Sequence, residues 1–268
     1  MFDRLFVHTP FHLFDEAIET LAELGLAPEI YFTAQHLDQL KVDGKPLQRA
    51  AAKLKEYALP CSFHGPFLDL SPAAFDPDIE KVTRERFLSL FTLAETLKPE
   101  VIVVHSGYER WRYNQNINLW LEKSIAFWRP LVKRIEDSGG ALAVENIFET
   151  TPGGLRMLFD EIASPAFGGC FDIGHWNLFA KMDLSEWLGL LQDHIISFHL
   201  HDNRGRFDDH LVPGDGFIDF AALKFLIESY AIKAKVHTFE LHQRADLVRG
   251  VEWFRENEFL TGQLSGKN

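Results

Sequence analysis

Residues 199–219 read HLHDNRGRFDDHLVPGDGFID, and the reading of this stretch decides how the remainder of the chain is read. It follows a short apolar run, 195–198, with the composition of a buried strand, so His199 stands where a strand gives way to a loop. His199, His201 and His210 share the stretch with Asp202, Asp208, Asp209, Asp215 and Asp219, and Pro213, Gly214 and Gly216 break it. Asp-rich turns are common, but a solvated turn has no need of so much imidazole beside carboxylate. Neutral His nitrogen and carboxylate oxygen are the ligands that suit zinc and related divalent ions.

The same event recurs on either side. Apolar runs at 2–7, 29–32, 59–63, 101–104, 141–144, 169–171, 195–198 and 236–239 have strand composition. Helical patterns at 12–24, 47–57, 78–97, 116–137, 155–162, 184–191, 220–230 and 247–256 separate them. The run 101–104 is so short and so β-branched that it predicts a strand buried on both faces, as in a parallel sheet. Strand and helix alternate without a linker or a shift in composition. This predicts an α/β fold of one domain over 1–268, a (β/α)8 barrel with a C-terminal tail from about 258.

In that architecture the C-terminal ends of all strands meet on one face, where active sites are built. Six consecutive strands end in His64, His105, Glu145, Asp172, His199 and Glu240, with His175, Asp208 and His210 in the adjoining loops. One histidine at a strand end is more often a hydrogen-bonded structural residue than a ligand. A carboxylate at the mouth of a buried strand is costly unless it is paired or binds a cation. Six such residues at equivalent positions predict a divalent metal site.

Composition narrows the partners. A formal charge of −12 and a pI near 5.4 argue against a general attraction to nucleic acid and favour a small-molecule substrate. Cys61 and Cys170 both fall in apolar runs, so neither a disulfide framework nor a Cys-type zinc site is indicated. No apolar stretch approaches the roughly 18 residues of a membrane span, and the expectation is a cytoplasmic protein. A glycine-rich nucleotide fingerprint is missing. Ser106 beside His105 is no nucleophile with its base, because neighbours on a strand point to opposite faces. His8, His12, His36, His194 and His237 are expected to be structural or surface residues.

The residues that end the strands, taken with their neighbours, resemble the xylose isomerase-like TIM-barrel superfamily, which includes endonuclease IV and sugar and sugar-phosphate isomerases and epimerases. The resemblance runs from His64-Gly-Pro-Phe-Leu through Val-His105-Ser-Gly, Val-Glu145-Asn, Phe-Asp172-Ile-Gly-His175 and His199-Leu-His-Asp202 to Asp208-Asp-His210 and Phe-Glu240-Leu. Its likeness to endonuclease IV implies three metal positions: His64, His105 and Glu145; then Glu145, Asp172, His199 and Glu240; then His175, Asp208 and His210. Its likeness to the isomerases and epimerases implies chiefly the second position, with Glu145 and Glu240 as acid and base and His175 touching the sugar. The chain departs from endonuclease IV at Gly174, where that family has cysteine, and at His201, where it has asparagine; residues 33–39 also carry no arginine.

The resemblance therefore implies one to three divalent ions, zinc, manganese or cobalt, and two candidate activities. The first is isomerisation or epimerisation of a carbohydrate or sugar phosphate. In it Arg204, Arg206 or Arg244 holds a substrate anion in the loops after strands seven and eight, Trp176 contributes to the substrate site, and the loop 108–113 forms a wall or lid. The alternative is metal-dependent phosphodiester hydrolysis at an abasic site in DNA. Nothing in the sequence sets the oligomeric state.

Overall fold

The computed structural model describes residues 3–241 and 243–259. The first residue of the first expected strand and nearly all of the expected tail lie outside the described residues, as does the side chain of Arg244. The chain runs β1 (Phe6–Pro10), α1 (Phe14–Glu23), β2 (Ala27–Tyr31), α2 (Ala34–Val42), α3 (Lys45–Glu56), β3 (Ser62–His64), α4 (Pro77–Leu97), β4 (Ile102–His105) and α5 (Ile117–Ser138). It continues β5 (Leu142–Glu145), α6 (Gly153–Ile162), β6 (Phe167–Asp172), α7 (Ile173–Phe179), α8 (Leu184–Leu191), β7 (Ile195–Leu200), α9 (Phe220–Ser229), β8 (Val236–Phe239) and α10 (Leu247–Glu256). Every strand pairs in parallel with its sequence neighbours, and β8 returns to β1 to close the barrel. Among the described residues no helix is long and apolar enough to cross a membrane.

The two-residue period of each strand sorts its side chains into two sets. One set, including Ile30, Phe63, Ile102, Val104, Leu142, Val144 and Phe198, packs outward beneath the helices in the main core. The other fills the barrel in layers. Phe6, Ala27, Val101, Val103, Ala141, Ala143, Cys170 and Val236 form an apolar floor. One position further along lie buried Glu29, Ser62, Ser197 and Thr238, and one further again His64, His105, Glu145, Asp172, His199 and Glu240. The strand-end residues thus share a face because each is the last inward position of its strand. Cys61 and Cys170 are free and buried, and burial pushes both thiols up to about 12.

Three local features depart from expectation. β1 ends at Pro10 rather than Val7, with Pro10 paired to Tyr31 at the strand end, where its missing N–H interrupts no further ladder. α2 forms because Thr33 caps it: its hydroxyl accepts from the His36 amide, while the His36 ring accepts from the Thr33 amide, and Leu37 and Leu40 turn into the core. α7 springs directly from β6, with the Asp172 carboxylate accepting the His175 amide at 2.6 Å.

Candidate metal centre

Asp172 illustrates how the strand ends are held. Asn146, just past β5, donates to the Asp172 carbonyl and accepts from its amide, both at 2.9 Å, fastening the tip of β5 to that of β6. One carboxylate oxygen of Asp172 caps α7, and the other is left to face His199 and His175 at 3.8 and 3.5 Å. His199 Nδ1, fully buried and without a hydrogen bond, also lies 3.5 Å from Glu145 Oε1 and 3.6 Å from Glu240 Oε1. Three carboxylates converge on this imidazole nitrogen, and the nearest other side-chain nitrogens to the oxygens that face it are those of His175 and His201. That donor set fits a divalent cation, which supplies the missing charge.

The residues of the other two expected positions also lie near one another, although at the third His201 stands closer to Asp208 and His210 as a group than His175 does. His64 Nδ1 contacts the Gly65 carbonyl at 2.9 Å, which assigns the proton to that nitrogen and leaves Nε2 facing Glu145 Oε2 at 3.3 Å; His105 Nε2 is 3.5 Å from the same oxygen. At the third, Asp208 Oδ2 lies 3.3 Å from His175 Nε2 and 3.0 Å from His210 Nε2. Glu145 joins the clusters, with Oε2 toward His64 and His105 and Oε1 toward His199 and His175. The structure brings all nine residues to one barrel mouth.

The electrostatics follow from this crowding. Burial pushes His199 and His175 down, but the surrounding carboxylates outweigh it: Glu29, Glu240 and Glu145 at His199, Asp172, Asp208 and Glu145 at His175. Both are held well above the ordinary imidazole range. Burial raises Glu145 and Glu240, and nearby histidines, His199 first, more than reverse it and leave both low. At His105 burial outweighs the attraction of Glu145 and pushes the imidazole down to about 3, so it is neutral. The carboxylates therefore stay ionised and demand positive charge, from protons on the histidines or from bound ions.

The loop after β7 is built around a residue that is not a ligand. Buried Asp202 accepts the amides of Asn203, Gly214, Gly216 and Ile218, and pairs by backbone with Leu211. A Cβ on Gly216 would lie 2.2 Å from Asp202 Oδ1, and Gly214 has φ +93°, so the Gly-x-Gly of the sequence permits this close approach. Asp208 and His210 stand on the segment so clamped, His210 itself left-handed at φ +49°.

Several residues that shape the site were not anticipated. Glu29, on the layer below, accepts from Ser62 at 3.3 Å and Thr238 at 2.8 Å and lies 3.1 Å from His199 Nε2, backing the ligand from behind. His201 places Nε2 3.1 Å from both Asp172 oxygens and stacks on His210 at 4.1 Å. The departure at Gly174 explains how it fits: a Cβ there would lie 2.0 Å from His201 Cε1. His8, expected to be structural or superficial, instead faces the cavity 4.0 Å from Glu240, and burial pushes it down to about 4. His36 caps α2 and His194 pairs with Asp160 at the surface, as expected. Ser106 bonds to Glu149, not to His105.

The expected substrate contacts are placed less favourably. Trp176 turns away from the cavity to donate to the Met182 carbonyl at 3.2 Å and pack on the core, because one step along α7 rotates it off the His175 face. Arg204 is exposed and donates to the Asp215 carbonyl at 3.1 Å, and Arg206 is exposed as well; neither lines the cavity. The loop 108–113 does form a wall, with Tyr108, Glu109 and Arg112 on the cavity. Phe67 packs on the ligands, stacked on His105 at 4.2 Å.

With fold and site described, the family is clear. The model of the xylose isomerase-like TIM barrel family matches residues 18–257, and the chain belongs to that family. The solved structure of a D-tagatose 3-epimerase-like protein superimposes with a TM-score of 0.81 at 27% identity, covering 95% of this chain and 97% of that one. D-psicose 3-epimerase from Clostridium cellulolyticum H10 shares the fold at 14% identity and a TM-score of 0.77, covering 98% of this chain and 100% of that one. The uncharacterized protein MJ1311 of Methanocaldococcus jannaschii is 32% identical over 173 residues, 61% of this chain; the match spans 58% of its own length.

Proposed function

We propose that this protein is a divalent-metal-dependent isomerase or epimerase acting on an uncharged sugar, with Glu145 and Glu240 moving a proton on carbon. One observation carries the reading. His199 Nδ1 and the carboxylates of Glu145, Asp172 and Glu240 converge below the cavity, and of these four only the two glutamates also line it. A zinc, manganese or cobalt ion held there supplies Lewis acidity toward a carbonyl and the adjacent hydroxyl. The nine-residue set offers places for one to three ions.

The two glutamates come from β5 and β8, three strands apart around a ring of eight, so they approach the cavity from nearly opposite walls. A proton taken by one and returned by the other inverts a carbon; returned to the neighbouring carbon, it interconverts aldose and ketose. Glu145 has His175 at 3.1 Å and His64 at 3.3 Å, whereas the nearest His nitrogens to Glu240 are 3.6 Å away. Glu240 is thus the freer carboxylate and the first base. The likeness to the D-tagatose 3-epimerase-like protein supports a carbohydrate substrate.

A second reading, phosphodiester hydrolysis at an abasic site in DNA, is favoured by the complete nine-residue set. The surface argues against it: among the described residues the cavity lining holds one arginine, Arg112, and no lysine. The deciding experiment offers the zinc-, manganese- or cobalt-loaded protein a panel of ketoses in deuterated water and, separately, an abasic duplex. Deuterium on a sugar carbon, lost in Glu240→Gln, is the expected result. Nicking of the duplex with no exchange into any sugar would overturn the proposal.

A further inference from the structure

The cavity is larger than the chemistry at its floor requires. It encloses about 1030 Å³, at the top of the roughly 300–1,000 Å³ range of pockets that enclose drug-sized ligands. A single hexose seated over Glu145 and Glu240 leaves most of it unfilled. The unfilled part runs between the β3–α4 loop with the first turn of α4 on one side and the segments after β4, β5 and β6 on the other, and Leu68, Phe75, Ile79, Tyr108, Phe148 and Phe179 line it. Leu68, Phe75, Ile79 and Phe148 are 69%, 53%, 45% and 44% exposed. Large apolar side chains this bare, on one concave surface continuous with the metal floor, mark a binding surface.

Charge decides what it fits. Asp69, Asp76 and Glu109 stand on the same lining, and Arg112 is already engaged, donating to Ser71 at 3.2 Å and to Glu109 at 3.4 Å. That balance repels a phosphate. The walls are aromatic: Phe148 meets Phe179 edge to face at 5.0 Å, and Phe75 lies 5.6 Å from Tyr113. Flat uncharged rings pack on such walls in offset or edge-on contacts.

The geometry points to a sugar that carries an uncharged aromatic substituent at the end remote from its carbonyl, with the sugar over Glu145 and Glu240 and the aromatic ring against the apolar lining that includes Leu68, Phe148 and Phe179. This rests on the reading of the floor as a sugar site. Isothermal titration of the zinc-loaded protein with 6-O-benzyl-D-fructose and 6-O-methyl-D-fructose tests it. The benzyl ether should bind roughly tenfold or more tightly, the return expected from burying a phenyl ring. Phe148→Ala and the more exposed Leu68→Ser should each shrink that ratio. Equal affinities for the two ethers, or no binding of either, would overturn the assignment; so would sedimentation showing that these substitutions break a dimer, since a second copy would then cover the surface. Deuterium exchange into D-fructose alongside equal affinities would leave the proposed reaction standing and remove only this inference.

Discussion

Replacing Gly174 with alanine should damage the site through His201, an effect that can be worked out from distances. The added Cβ would lie 2.0 Å from His201 Cε1, 2.5 Å from Nε2 and 2.6 Å from Nδ1, against about 3.5–4.0 Å for relaxed contact. The ring is fully buried, stacked on His210 and in contact with Asp172, so it has to leave these partners to make room. Overpacking costs about 1–3 kcal/mol, and a lost hydrogen bond to a charged group about 1.5–3 kcal/mol. The gain from Gly to Ala inside α7 returns at most about 1 kcal/mol. A net loss of roughly 1.5–5 kcal/mol lowers Tm by about 3–10 °C in a chain of this size. Thermal unfolding of Gly174→Ala, His201→Ala and the double variant reads it out. The double variant should be more stable than the sum of the single losses allows, by at least about 1 kcal/mol, because alanine at 201 vacates the space. Strict additivity, or an unaffected Gly174→Ala, would refute the reasoning.

Other outcomes follow from the same geometry. Glu29→Gln should leave the barrel folded and weaken metal retention by about 10–100-fold, as loss of a partner behind a ligating histidine does; competition against a chromophoric chelator measures it. Glu240→Gln should keep the fold and lower proton exchange into sugar by roughly 10²–10⁴-fold, and full exchange in that variant would remove Glu240 from the chemistry. In metal-free protein the raised pKa values of His175 and His199 place their stabilising contribution below about pH 6.5, lost as pH rises through the folded values. Bound ions replace those protons, so the rise in Tm on adding zinc should grow from pH 6 to pH 8; a rise that shrinks with pH would contradict the assignment of these histidines as ligands.

What was legible in the sequence was whatever the strand period carries. His105, Glu145 and Asp172 could be placed because each ends an apolar run in phase with the inward face, and alternation of runs and helices fixed the barrel. The same period also puts His201 on the face of His199, and a glutamate inside the buried strand APEIY could have flagged Glu29, since such a carboxylate needs a partner. What escaped was set by loop conformation. The Asp202 clamp, not any local pattern, leaves Arg204 over Asp215 and out of the cavity. Trp176 went wrong for a related reason: its short helix, capped by a residue read only as a ligand, turns the indole into the core.

The central claim is that one cation sits among four strand ends. Metal analysis of the purified protein, with anomalous scattering measured on both sides of the zinc edge in zinc-loaded crystals, tests it most directly. The account predicts at least one ion per chain, at about 2.0–2.2 Å from His199 Nδ1 and from oxygens of Glu145, Asp172 and Glu240. A well-ordered barrel with these four side chains turned apart and no anomalous peak between them, in the presence of excess zinc, would contradict it.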